Sequence, residues 1–268
     1  MTNSSRRREL LLEEMGLGPI WVSRERMPAP AEAEDSSRAD VVATPMVVPE
    51  DPPFIDEPVP VSALAELAPP QAPAGAVAGM DWAQLKSTVS QCMKCDLCRG
   101  RTNTVFGVGD EKAKWLFVGE GPGRNEDARG EPFVGAAGKL LDNMLLAMGL
   151  RRGQNAYIAN IVKCRPTDPG GRDRPPTPEE VAACMPYLER QIALIQPAII
   201  IALGKTAGCS LLQVDPDTPV SRLRGTVHRH AGLPLVVTYH PAYLLRNLAD
   251  KKKAWADLCL AKATYAGS

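Results

Sequence analysis

From residue 81 onward, short, mostly apolar runs alternate with longer segments of helical periodicity, and few architectures accept that alternation. The runs lie at 115–118, 157–162, 198–203 and 235–238. Each is too short for a buried helix and, being apolar at successive positions, reads as a strand covered on both faces. Helical signals fill the intervals. Asp81 can cap a helix reaching Gln91, and Leu140, Leu141, Met144, Leu145 and Met148 fall on one face of a segment at 138–148. Thr177, Pro178 and Glu180 form a T-P-x-E capping box whose helix should run to about Ile195, and a last helix is expected over about 250–265. Strands separated by helices predict an α/β fold, a three-layer sandwich around a central, mainly parallel four-stranded sheet. Ligands of such sheets bind at the carboxyl ends of the strands.

The chain divides near residue 80. Twelve of its 25 prolines precede residue 81, in Ala- and acid-rich stretches without a sustained apolar period. Such a segment cannot bury enough surface to offset its conformational entropy, so residues 1–80 are expected to be a disordered extension, with a short helical piece at 7–15 that reads either as a frayed terminal helix or as a docking peptide for an unidentified protein partner. Charge follows the same boundary: residues 1–80 carry a net −7 and residues 81–268, the expected folded domain, a net +7. A basic domain suits a polyanion such as nucleic acid, although a charge of this size also occurs in proteins that bind none. No apolar run approaches the ~18 residues that span a bilayer, and the acids at Glu9, Glu13 and Glu14 occupy the place of a signal peptide's apolar stretch. A cytoplasmic protein without membrane contact is expected. Its seven cysteines then read as metal-binding or redox groups rather than as a disulfide framework.

Three strand ends carry polar or glycine-rich motifs: GEGPGRNED at 119–127, Asn160, and HPAYLLR at 240–246. Singly each reads as a turn; together they place polar groups on one sheet edge. The GKT at 204–206 is not a phosphate-binding loop, because position 199, which such a loop needs as glycine, is Ile199. Cys92, Cys95 and Cys98 form C-x-x-C-x-x-C, Cys164 follows the second strand, and Cys184 lies in the capped helix. That spacing fits zinc or an iron-sulfur cluster equally well. Cys209 and Cys259 lie in apolar helical stretches and are expected in the core.

In this order, CMKC, VGEGPGRNEDARGEPFVGAAGKLL, NIVKCRP, PTPEEVAAC and HPAYLLR resemble the family 4 uracil-DNA glycosylases, the iron-sulfur type of bacteria and archaea. The resemblance spans about 82–261 and does not reach residues 1–80. It implies a monomeric hydrolase of the bacterial cytosol that releases uracil from DNA and leaves an abasic site. It also implies one 4Fe-4S cluster on Cys92, Cys95, Cys164 and Cys184, with Cys98 outside the family's ligand set. By the same resemblance Phe133 stacks on the uracil face, Asn160 reads the uracil edge, and His240 donates to uracil O2 as negative charge builds on the departing base. Where better-known uracil glycosylases carry a water-positioning carboxylate, this chain has Gly121. Glu120 and Glu126 are the nearest acids, the first to shape the loop and the second to orient water. Leu244 or Leu245 would fill the space of the extruded nucleotide, and Arg246 would contact a flanking phosphate. Two other readings compete. One is a non-enzymatic iron-sulfur sensor that binds nucleic acid. The other is a superfamily variant that traps the sugar on a histidine, disfavoured because the segment at 165–178 contains none.

Overall fold

The computed structural model describes residues 77–266. The expected extension, except for its last four residues, and its helix at 7–15 lie outside the described residues. Val77 is buried in the core and Met80 packs against it, while the Met80 carbonyl accepts a 2.6 Å hydrogen bond from Arg190 Nε. The packed unit therefore begins ahead of the expected boundary at 81.

In chain order the elements are α1 (Trp82–Ser90), α2 (Leu97–Gly100), β1 (Val108–Gly109), β2 (Trp115–Gly119), α3 (Arg124–Arg129), α4 (Ala136–Ala147), β3 (Ala156–Asn160) and α5 (Pro178–Ile195). They continue with β4 (Ile199–Leu203), α6 (Lys205–Leu212), α7 (Val220–Leu223), β5 (Val227–His230), β6 (Leu233–Thr238), α8 (Pro241–Arg246) and α9 (Lys251–Ala266). The expected capping box of Thr177 and Glu180 opens α5, and the expected Asp81 cap opens α1, where Gln84 completes a second box that was not expected.

The sheet has six strands rather than the four expected, in the order β1-β3-β2-β4-β6-β5. The inner four are the parallel, apolar runs. The two additions are antiparallel edges. β1 is two residues long, and β5 is Val-His-Arg-His with alternating exposed and half-buried positions, so neither carries the continuous apolar signal of a covered strand. Ala231 and Gly232, with φ of 47° and 82°, turn β5 into β6 as a tight hairpin.

Alternation along the inner strands builds two cores. Leu116, Val118, Ile200, Ala202, Leu235 and Val237 face one layer with Leu85, Leu188 and Ile192 of α1 and α5. Trp115, Phe117, Ile199, Ile201, Leu203 and Val236 face the other, with Leu141 and Leu145 of α4 and Leu258 of α9. Because both faces are buried, register is tightly specified, and it pairs Gly119 of β2 directly with Asn160 of β3.

Candidate active site and cysteine centre

The ends of β2, β3, β4 and β6 open into one cleft of about 490 Å³. Glu120, Gly121, Glu126, Phe133, Asn160, His240 and Arg246 all line it, so the expected site residues from three separate strand ends do converge.

Asn160 is the last residue of β3 and only 2% exposed. Its Oδ1 has no hydrogen-bond partner among the described residues, an arrangement that costs about 1–3 kcal/mol unless a ligand supplies a donor. Gly119 beside it has to lack a side chain: a Cβ there would lie 2.5 Å from Asn160 Oδ1 and 2.7 Å from Phe133 Cζ. The free amide oxygen and the edge of the ring therefore flank the same point.

Phe133 has φ of 55°, a left-handed conformation that a bulky residue adopts only when its surroundings enforce it. A Cβ at Gly138, in the first turn of α4, would come within 1.7 Å of the Phe133 carbonyl oxygen, so glycine is required for that turn to pack on the helix. The buried ring stacks on His240, with centroids 5.5 Å apart and planes inclined by 28°.

His240 is the N-cap of α8, with Pro241 at the first helical position. Its Nδ1 accepts a 3.2 Å hydrogen bond from the Ala242 amide, so in the neutral ring the proton sits on Nε2. Burial pushes its pKa down to about 4; the Arg246 charge acts in the same direction and Glu126 opposes it. At neutral pH His240 is thus an uncharged Nε2–H donor, which settles a tautomer that the motif alone leaves open.

The two acids are engaged. Glu126 Oε1 accepts from the amides of Val134 and Gly135 at 2.9 and 3.2 Å, holding the entry to α4. Glu120 accepts from the Thr206 hydroxyl and so ties the end of β2 to α6. At Gly121 a Cβ would meet Val162 Cγ2 at 2.8 Å, so side chains are kept out by packing. Of the wedge leucines, Leu244 is corrected: it is 1% exposed, inside the protein, whereas Leu245 is 41% exposed. Leu248, just beyond α8, is 63% exposed. Lys205, Asp173 and Arg174 also line the cleft without having been singled out, the first from the rejected GKT and the others from the Pro-rich segment after Cys164. Arg174 is held by Glu180 at 2.6 Å and Asp173 by Arg165 at 2.6 Å.

A second, smaller space is lined by Cys92, Cys95, Cys98, Cys164 and Cys184. No group of three or more His, Cys, Asp or Glu among the described residues is placed to hold a single metal ion. The cysteines face a shared space instead. Arg101 Nη1 donates to Cys164 Sγ at 3.3 Å, the Lys163 amide to Cys184 Sγ at 3.3 Å, and the Tyr187 hydroxyl to Cys92 Sγ at 3.3 Å. Burial raises the thiol pKa values of Cys95 and Cys164 and pushes Cys184 up to about 12; Arg101 and Lys163 oppose the shift at Cys164 and Cys184 respectively. Lys163, 1% exposed, also donates from Nζ to the Asn160 carbonyl at 2.8 Å and so links this centre to the cleft. Cys209 is in the core as expected, whereas Cys259 is exposed on α9, contrary to expectation, because the apolar stripe of that helix falls on Ala254, Leu258 and Ala261.

Fold and site together define an α/β protein with a polar and aromatic pocket at the carboxyl edge of its parallel strands, of the size and character of a small-ligand site. The family model of the uracil DNA glycosylase superfamily matches residues 106–260. A type-4 uracil-DNA glycosylase of Archaeoglobus fulgidus is 48% identical over 163 residues, covering 59% of this chain and 79% of that protein. Those of Thermotoga maritima and Pyrobaculum aerophilum are 44% and 41% identical, covering 61% and 68% of this chain and 82% and 93% of theirs. The chain belongs to the uracil-DNA glycosylase superfamily and, within it, to the type-4 family.

Proposed function

We propose that this protein hydrolyses the N-glycosidic bond of deoxyuridine in DNA, releasing uracil and leaving an abasic site for repair. The observation that carries the reading is the unpartnered, buried Asn160 Oδ1 beside the Phe133 ring. Uracil offers a flat face and an N3–H next to O4; Phe133 takes the face, Asn160 Oδ1 accepts from N3–H, and its amide nitrogen donates to O4. Cytosine has no N3–H and carries an amino group at C4, so both contacts turn repulsive and an unpaired buried amide remains. When the C1′–N1 bond breaks, its electron pair leaves on uracil. The Nε2–H of His240 donates to O2, where that charge appears, and so stabilises the transition state more than the ground state. Water adds to C1′, and the proton it gives up neutralises the departed uracil anion, leaving free uracil and an abasic hydroxyl. Glu126 Oε2 is the carboxylate oxygen left to orient that water, since Oε1 is committed to the backbone. Arg246 contacts a flanking phosphate and Leu245 the vacated stack.

The donor set of the second centre suits an iron-sulfur cluster better than a lone ion: several thiols around a shared space, with Arg101 and Lys163 close enough to offset thiolate charge. Cys92, Cys95, Cys164 and Cys184 would hold a 4Fe-4S group. When bound, that group would supply a cross-link between the segment joining α1 to α2, the segment after β3, and α5. The chain acts on DNA as a monomer, in the cytoplasm, and the unit from Val77 onward suffices for activity. A non-enzymatic sensor would leave the orphaned Asn160 oxygen without a task. The deciding experiment incubates the protein with a uracil-containing oligonucleotide and then adds alkali: strand breakage at the uracil supports the reading, and an intact strand after stoichiometric binding overturns it.

A further inference from the structure

The left-handed Phe133 turn has to be held by something, and the side chain that holds it lies outside the cleft. Arg152, in the loop between α4 and β3, donates from Nη1 to the Pro132 carbonyl at 2.8 Å and from Nη2 to the Phe133 carbonyl at 3.0 Å. Its Nε and Nη2 are in turn fixed on Asp142 Oδ1 of α4, at 3.1 and 2.9 Å. A planar guanidinium spanning two consecutive carbonyls specifies orientation as well as distance, which a lysine ammonium cannot do. The carbonyl it grips belongs to the residue with φ of 55°, and that same carbonyl lies against Gly138. On the far side of the turn, the Phe133 ring meets His240 and the point shared with Asn160 Oδ1.

We infer that Arg152, oriented by Asp142, is a positioning residue that sets the Phe133 ring against the base and against His240. The inference rests on the proposed uracil pocket and assigns it a specificity support that no motif marks. Arg152 touches neither the base nor the reacting atoms, so its contribution has to pass through Phe133. That is what separates it from a generally stabilising ion pair.

The test combines a kinetic cycle with a readout that needs no activity. In single turnover on uracil-containing DNA, Arg152→Gln should slow cleavage between about 10- and 100-fold, the scale of a misplaced reacting geometry. In a Phe133→Ala background the same change should slow cleavage by less than about 2-fold, because the group it positions is gone. Independently, the ring resonances of His240, one of three histidines in the chain, feel the ring current of Phe133 and should move in Arg152→Gln as they do in Phe133→Ala. Equal factors in both backgrounds, or unmoved His240 resonances, overturn the inference. Should Arg152→Gln fail to fold, Asp142→Asn, which leaves the guanidinium but weakens its anchor, takes its place with the same two readouts and a smaller effect. If the wild type leaves uracil in place, the proposed activity fails, and the His240 resonances alone decide whether Arg152 sets the ring.

Discussion

The rings of Phe133 and His240 stack 5.5 Å apart, although one comes from the turn before α4, after β2, and the other from the cap of α8, after β6. This contact joins the surface that receives the base to the donor that stabilises it as a leaving group. Substitutions at the site should therefore fail in distinguishable ways.

His240→Ala removes a donor whose partner charge exists only during bond cleavage. Single-turnover cleavage should drop by ~10²–10³-fold while binding of uracil-containing DNA stays within a few-fold. Cleavage at the original rate would pass the donor role to another group.

Asn160→Asp replaces an amide with an acceptor-only carboxylate of the same shape. It should accept from the cytosine amino group and repel uracil O4, so uracil removal should fall by at least ~10²-fold and a trace of cytosine removal should appear. Gas or liquid chromatography of the released bases measures both. Undiminished uracil release would remove Asn160 as the reader.

Acid should weaken the fold through His240. Its folded pKa of about 4 lies below the usual 6.5, so between those values the unfolded chain binds a proton that the folded chain refuses. Stability from this group is complete above about pH 6.5, falls as pH drops, and is lost below about pH 4. Denaturant midpoints of wild type and His240→Gln, followed from pH 7 to 4, should show a steeper loss for the wild type; parallel curves would contradict the lowered pKa of the ring.

For the cysteine centre, protein purified without oxygen should be brown and carry about four iron atoms per chain. Alanine at Cys92, Cys95, Cys164 or Cys184 should abolish colour and iron, while Cys98→Ala should retain both, even though Cys98 lines the same space. Stoichiometric zinc, or iron lost with Cys98 alone, would change the ligand set.

The legible part of this protein is its local chemistry. Continuous apolar runs dictated covered parallel strands, and Asp81 and Thr177 dictated where two helices begin, because side-chain oxygens three residues before an amide cap it whatever the rest of the chain does. The convergence of Gly119, Asn160 and His240 was readable for the same reason: parallel strands deliver their carboxyl ends to one edge. Edge strands escaped, since β1 and β5 gain their partners from neighbours and not from their own apolar pattern. Leu244 and Leu245 are adjacent in sequence, yet about 100° apart around a helix, and the packing of α8 determines which one is buried. The engagement of Glu126, the proton on Nε2 of His240 and the grip of Arg152 on Phe133 are likewise absent from any motif. The first and last depend on backbone groups eight or more residues away, which come within 3 Å or so only when packing brings donor and acceptor together, and the His240 tautomer depends on the local turn that aims the Ala242 amide at Nδ1.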